Sequence, residues 1–304
     1  MVPRVSIGVP VFNGEKYLEL ALDSLLSQTF TDFEIIISDN GSTDGTAAIS
    51  RKYAALDSRI RYVRSATNVG LAANFRRAFE LARAPYFKWA AHDDLCAPKL
   101  IERAVAVLDS DPTVVLAYGR TQVIDANGEI IGRHPHDDLR LDAQQPDVRF
   151  NELIRVYHWC VQQFGVVRRD ALRRTNLHGP FPQSDRVLMA ELGLLGRCQL
   201  ISEDLFFFRS HHQVSMMLSS KLHQFAWSMD PSKEGKVVFP TWRLLQEWSR
   251  VVARAPLSRV QRAKCYLHLL RWTTRGLNAM RLARDLLWAA NIIGHRVARR
   301  IRPH

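Results

Sequence analysis

Three consecutive isoleucines, Ile35-Ile36-Ile37 within the run Phe33 to Ser38, restrict the fold more than any other feature of the chain. Successive side chains of a strand point to opposite faces, so an unbroken β-branched apolar run needs cover on both. That is the environment of a parallel sheet sandwiched between helices. The flanking segments supply such helices. Val5 to Val11 reads as a first strand, followed by Asn13 as a helix N-cap and by Tyr17, Leu18, Ala21, Leu22, Leu25 and Leu26 at helical spacing. The cycle then repeats with a helix from about Thr43, a strand over Ile60 to Val63, a helix carrying Leu71, Phe75, Ala78, Phe79 and Ala82, and a strand at Tyr86 to Ala90. Pro98 suits the first turn of the next helix. The alternation predicts an α/β fold: a mostly parallel, Rossmann-like sheet flanked by helices.

Beyond Val114 the order changes. Val114 to Tyr118 reads as a strand, Thr121 to Gly132 as a hairpin turning at Asn127-Gly128, and residues 133–150 as polar loop. A helix near Glu152, a strand near Phe164 to Val167, a helix from Ser184 to Leu194 and strands around Leu200 and Phe206 follow. From about Ser219 the pattern is helical, ending in a stripe of Leu282, Leu286, Ala289, Ile293, Val297 and Ile301. The net charge of +12 lies wholly in this tail, because Trp242 to His304 holds fourteen Lys and Arg against Glu247 and Asp285. The neutral remainder argues against a basic cleft for nucleic acid, and no nucleic-acid partner is expected. Trp242, Trp248, Trp272 and Trp288 are four of the seven tryptophans, and Arg with Trp on amphipathic helices suits an anionic membrane surface. The other reading is arginines on solvated faces of a structural tail. Four scattered cysteines make no zinc or redox pair, and no apolar run reaches the ~20 residues that span a bilayer. A cytoplasmic protein, peripheral at the inner face of the membrane, is expected.

Three polar clusters fall just past strand ends, where open α/β sheets bind ligands. They are Pro10-Val11-Phe12-Asn13, Asp39-Asn40-Gly41-Ser42-Thr43-Asp44 and His92-Asp93-Asp94. A carboxylate at that edge, such as Asp39, can accept a hydrogen bond from a uracil or thymine N3–H, and Phe12 can wall the base. Adjacent carboxylates such as Asp93 and Asp94 suit Mg²⁺ or Mn²⁺, which take oxygen ligands. Each also has a plainer reading: Asp39 as a turn residue, Asp93-Asp94 as a helix cap, Asp185 as a helix-start acid, and Asn74 as part of a polar helix face.

The opening VSIGVPVFNGEKYLELALDSLLSQTFTDFEIIISDNGSTDGT, with NVGLAANF, WAAHDDL, GPFPQSDRVLMAELGLLGR and FRSHHQVS after it, resembles the inverting glycosyltransferase family 2 over residues 5–216. The resemblance implies a glycosyltransferase A fold over residues 1–218, with a nucleotide-binding half (1–120) and an acceptor half (121–218), followed by a helical basic extension (219–304). It implies transfer of a sugar from a nucleotide-diphosphate donor to an acceptor hydroxyl; Asp39 favours a UDP- or dTDP-linked donor, and the basic tail favours a glycan or lipid-linked acceptor. Pro10, Phe12, Asn13 and Asp39 would hold the nucleoside, Asp93 the ribose or diphosphate, and Asp94 a divalent metal, Mg²⁺ or Mn²⁺. His211 would complete the metal or diphosphate site, and Asp185 would be the catalytic base. The chain departs from the family pattern at His92, at Ser184, and in the third helix, where Asn74, with Arg76 and Arg77 nearby, would replace a contact to the diphosphate. A sugar-1-phosphate nucleotidyltransferase would need a Gly-rich phosphate loop and a dinucleotide oxidoreductase a G-x-G-x-x-G turn, and Phe12-Asn13-Gly14-Glu15 is neither. The remaining alternative is a nonenzymatic nucleotide-sugar-binding scaffold with a basic docking tail.

Overall fold

In the computed structural model, residues 2–135, 139–211 and 236–301 are described, with side chains as far as residue 290. Strands β1 (Val5–Val11), β2 (Phe33–Asp39), β3 (Ile60–Arg64) and β4 (Tyr86–Trp89) are parallel in the order β3-β2-β1-β4. Helices α1 (Leu18–Leu26), α2 (Thr46–Leu56) and α3 (Leu71–Glu80) connect them, as the alternation predicts. The sheet continues through β8 (Val166–Arg168), which runs antiparallel to both β4 and β6 (Val114–Ile124). Two reversals return β6, and β9 (Arg197–Arg209) beside it, to the direction of β1. The short β5 (Leu95–Cys96) closes the edge against β9, and β7 (Ile130–Arg133) forms a hairpin with β6.

The three isoleucines behave as their run requires. Ile35 and Ile37 pack with Leu18, Leu22 and Leu25 of α1 and with Ile101 and Leu108 of α4 (Leu100–Ser110). Ile36 faces the other way, toward Phe79, Phe87 and Trp89. All three are fully buried.

Several local expectations are corrected. Asn13 is no N-cap: it sits at φ 52°, and α1 begins only at Leu18, after a turn in which Tyr17 and Leu18 N–H bond to the Gly14 carbonyl. Pro98 precedes α4 rather than opening it. Residues 133–150 are not all loop, since α5 (Pro146–Arg155) uses the fixed φ of Pro146 at its first turn. The strand expected from Phe164 is preceded by a 3-10 turn over Val161–Phe164, and the two strands expected around Leu200 and Phe206 are one strand, β9, with irregular pairing to β6. The Asn127-Gly128 turn is borne out, with Gly128 at φ 96°.

The tail is built into the fold. Helices α8 (Pro240–Arg254), α9 (Arg259–Thr274) and α10 (Gly276–Ile301) form a third core with α5 and with α7 (Ser184–Leu195); the short α6 (Arg169–Arg173) follows β8. Trp248 and Trp272 are buried at its centre, edge-to-face with ring centroids 5.2 Å apart, so neither is available to a membrane. Leu286 of the expected apolar stripe is exposed, whereas Leu282 and Ala289 are packed. Among the described residues no helix is long and apolar enough to cross a membrane. The boundary expected at 218/219 lies outside the described residues, as does the onset of the helical tail.

Candidate active site

Register fixes one end of the site. Val11, Asp39 and Arg64 are paired in line across the carboxyl ends of β1, β2 and β3. The fully buried Asp39 carboxylate accepts the Ser42 N–H at 2.8 Å on Oδ1 and the Tyr62 hydroxyl at 2.7 Å on Oδ2, with Arg64 Nε 3.2 Å from Oδ2. Burial, then the bond to Asp39, pushes the Tyr62 hydroxyl up to about 12, so it stays a donor at neutral pH. A carboxylate has about four acceptor directions. Oδ1 therefore retains one for a further donor such as a base N–H. Tyr62 and Arg64 alternate on β3 with Val63 between them; strand period alone puts both on one face, a signal present in the sequence but not used.

The first two loops are interlaced. Asn13 donates its N–H to the Ser42 hydroxyl at 2.9 Å and accepts the Thr43 N–H on its side-chain oxygen at 2.9 Å. The Gly14 N–H meets Thr46 Oγ1 at 2.8 Å, and a Cβ on Gly14 would come within 2.6 Å of both the His92 ring and Val11, so the close approach requires glycine there. Pro10 is buried beside Ser38, and Phe12 is 42% exposed past the strand end, free to present its ring. Asn74 is turned into the protein, between β1 and β2. It is buried with its amide donating to the Ser38 carbonyl at 2.8 Å and to Val11 at 3.4 Å, while its oxygen accepts the Ser38 hydroxyl at 2.7 Å, which ties β1 to β2. Arg76 and Arg77 likewise bond protein groups: Arg76 the carbonyls of Asn176 and His178, Arg77 the Ser65 hydroxyl.

The two carboxylates of the acidic pair differ in exposure and in partners. Asp94 is 5% exposed, points inward and accepts the Arg209 N–H at 2.8 Å. Burial, with Asp93 next to it, pushes its carboxyl well above the usual range. Asp93 is the more open carboxylate, and its Oδ2 lies 3.0 Å from His211 Nε2. His211 therefore joins Asp93, 118 residues away in the chain, whereas Asp94 is bonded to the Arg209 N–H. Two residues that the sequence reading left without a role build this corner. The buried Arg209 donates from Nε to the Asp93 carbonyl at 2.7 Å and from Nη1 to the carbonyls of Asp125 at 3.1 Å and Ala126 at 3.3 Å, locking the acidic loop to the β6–β7 turn. The Tyr17 ring packs against His211, centroids 4.9 Å apart, and against the Arg209 guanidinium at 4.7 Å.

Lys88, near the end of β4, is fully buried, and its ammonium donates to the Trp89 and Phe164 carbonyls. Asp185 opens α7, and its Oδ1 accepts the Arg186 N–H at 2.9 Å. Burial pushes its carboxyl up, and the bond and charge of Arg186 and the Cys160 thiol only partly oppose that. Arg186 is buried, donates to the Val156 carbonyl at 2.8 Å and lies over Trp248 at 5.0 Å. The backbone before Asp185 is unusual: Gln183, at φ 64°, is in the left-handed region.

Such an architecture, a parallel β-α half with a buried carboxylate at its edge and an acidic loop closed by a returning strand, is the glycosyltransferase A fold. The chain belongs to glycosyl transferase family 2, whose model matches residues 6–175. The relatives it resembles include an uncharacterized glycosyltransferase of Rickettsia bellii, 32% identical over 162 residues, which are 52% of this chain and 23% of that protein. Chondroitin synthase of Escherichia coli is 34% identical over 130 residues, 43% of this chain and 19% of that one. The chain thus matches about a quarter of these relatives' length. Solved structures share the fold over nearly the whole chain: S. aureus TarS with UDP-GlcNAc (TM-score 0.64, 16% identity, 97% of this chain and 82% of that one) and the mannosyltransferase PcManGT of Pyrobaculum calidifontis with GDP-Man and Mn²⁺ (TM-score 0.57, 17% identity, 99% and 81%).

Proposed function

We propose that the protein moves a sugar from a UDP- or dTDP-linked donor to an acceptor hydroxyl by a metal-assisted inverting displacement, with Asp185 as the base. The reading is carried by the Asp93–His211 pair at 3.0 Å. Two ligands at ~2.1 Å in neighbouring positions of an octahedron lie about 3 Å apart, so the pair fits one cation. Among the described residues no group of three His, Cys, Asp or Glu side chains could hold a metal. Asp93 and His211 would hold such a cation, and an imidazole with a carboxylate would suit Mn²⁺. When bound, such an ion supplies charge stabilisation to the departing diphosphate. Asp39 supports a pyrimidine, since its spare acceptor direction matches a uracil or thymine N3–H. A raised pKa suits Asp185 to take the acceptor proton as the hydroxyl acidifies in the transition state.

The acceptor is proposed to be a glycan or lipid-linked hydroxyl at an anionic membrane surface. With Trp248 and Trp272 buried, support comes from α10, where Leu277 (71% exposed), Met280 (68%) and Leu287 (72%) form an exposed apolar face beside Arg284. Leu277→Glu with Leu287→Glu should lower binding to phosphatidylglycerol vesicles, and unchanged pelleting would remove the membrane contact.

The donor reading is tested by calorimetric binding of UDP, dTDP, GDP and ADP, with and without Mn²⁺, to the wild type and to Asp93→Ala. Metal-dependent binding of a uridine or thymidine diphosphate that disappears in the variant is expected. Preference for GDP would overturn the pyrimidine assignment, and absence of binding to all four would favour a nonenzymatic scaffold.

A further inference from the structure

A second cleft opens at the opposite edge of the sheet, where β6 and β9 begin and the antiparallel β8 ends. It holds about 500 Å³ and is lined by Arg149, Arg168, Arg174 and Arg197, with Thr113 and Gln144 among the neutral groups. A volume of several hundred Å³ is that of a small-molecule site. The charge there is unbalanced. Arg197 pairs with Asp111 at 2.7 Å, and Asp170, the one acid among the described residues of the cleft wall, is turned to solvent and pairs with Arg173 at 3.4 Å. Arg149, Arg168 and Arg174 form no ion pair among the described residues.

Arg149 is the telling member. It is 4% exposed, so its guanidinium is a buried charge, and buried charges are ordinarily paired. Its Nε donates to the Gly193 carbonyl at 2.6 Å and its Nη1 to the carbonyls of Ala143 at 2.5 Å and Gln144 at 2.9 Å, leaving Nη2 without a hydrogen bond among the described residues. Arg168 is held in the same way, by the carbonyls of Val114 and Asp111 among others, and Arg197 by Asp142. Backbone carbonyls orient Arg149 and Arg168 without an ion pair among the described residues, while Arg197 is paired with Asp111. Arg174, more open and free of side-chain bonds, stands at the entrance.

We infer that this cleft binds a phosphorylated ligand, its phosphate oxygens bridging Arg149, Arg168 and Arg174. Guanidinium forks match phosphate geometry, and a dianion would supply the missing countercharge. Because the donor site lies at the other edge of the sheet, the two sites are separate.

The test is calorimetry on the full chain with inorganic pyrophosphate and with glycerol phosphate in a chelating buffer, comparing wild type, Arg174→Glu and Arg174→Lys. Saturable binding by the wild type is expected, weakened about tenfold or more by Arg174→Glu and largely kept by Arg174→Lys, with Mn²⁺-dependent nucleoside diphosphate binding unchanged in all three. The same variants are sedimented with phosphatidylglycerol vesicles. Arg174-dependent binding of the soluble phosphates alone assigns a soluble ligand, and Arg174-dependent sedimentation assigns a lipid headgroup. Arg174→Glu is exposed and should fold normally, so loss of binding with an unchanged unfolding midpoint supports the site. Failure of the wild type to bind either phosphate or vesicles through Arg174, or equal binding by Arg174→Glu, overturns it.

Discussion

Trp248→Ala should destabilise the catalytic fold as a whole. The indole is fully buried, meets Trp272 edge-to-face and lies 5.0 Å from the Arg186 guanidinium, with Nε1 at 3.5 Å from the Arg186 carbonyl. Truncating a buried tryptophan costs about 3–5 kcal/mol in lost transfer energy and cavity. Loss of the cation–π contact at a desolvated site adds up to about 2 kcal/mol. With an m-value near 3 kcal/mol/M, the urea midpoint should fall by about 1 M or more. Trp242→Ala is the control: it is 41% exposed, keeps one bond from Nε1 to the Leu282 carbonyl at 3.1 Å, and should cost only about 1 kcal/mol. Urea unfolding followed by far-UV circular dichroism reads both. If Trp248→Ala melts the C-terminal helices in a separate early transition and leaves the main midpoint in place, the third core does not couple the tail to α7 and the reasoning fails.

Other outcomes follow from the site. Asp185→Asn should keep donor affinity and lose about 10²–10⁴ in transfer rate, and the wild-type rate should fall on acidification through a pKa above that of an ordinary aspartate. A normal acid limb or retained turnover would remove Asp185 from the chemistry. Asp94→Asn, which preserves the acceptor for the Arg209 N–H, should retain Mn²⁺-dependent nucleotide binding within a few-fold, whereas Asp93→Asn and His211→Ala should lose it; the reverse pattern would restore the metal to Asp94. His178 is buried between Phe75 and Trp89, and burial lowers its pKa from 6.5 to about 3. Below 6.5 the unfolded chain takes a proton that the folded chain refuses, so stability should fall by up to about 1.4 kcal/mol per pH unit between 6.5 and about 3. His178→Phe should flatten that slope in unfolding titrations, and an unchanged slope would show that the imidazole is not the source.

The sequence makes the nucleotide-binding half legible because its strands are buried on both faces and its helices amphipathic, so each element states its own environment. The loops are read less well for a physical reason. Adjacent residues in a loop point in different directions, and nothing in Asp93-Asp94 as a pair says which one turns into the core; Arg209 decides it from a distant strand. Asn74 follows the same logic, since an amide on a helix satisfies two strand ends as readily as a ligand, and only packing selects. Trp248 and Trp272 were assigned to a surface because an amphipathic helix does not name what covers its apolar side, whether lipid or α7.

Arg209 and His211 end the last strand of the sheet, yet they complete a corner begun at Asp93 and Asp94. During synthesis the β1–β4 half, with Asp39 and its interlaced loops, can emerge and pair its strands while the closing strand is still inside the ribosome. A nascent chain of that length holds Asp39 and its loops but lacks the histidine and the guanidinium that close the acidic corner, which on the proposed function would hold the donor's diphosphate end. Binding of the whole donor therefore reports completion of the sheet, and a donor supplied during refolding should act late, by trapping chains in which β9 has already docked.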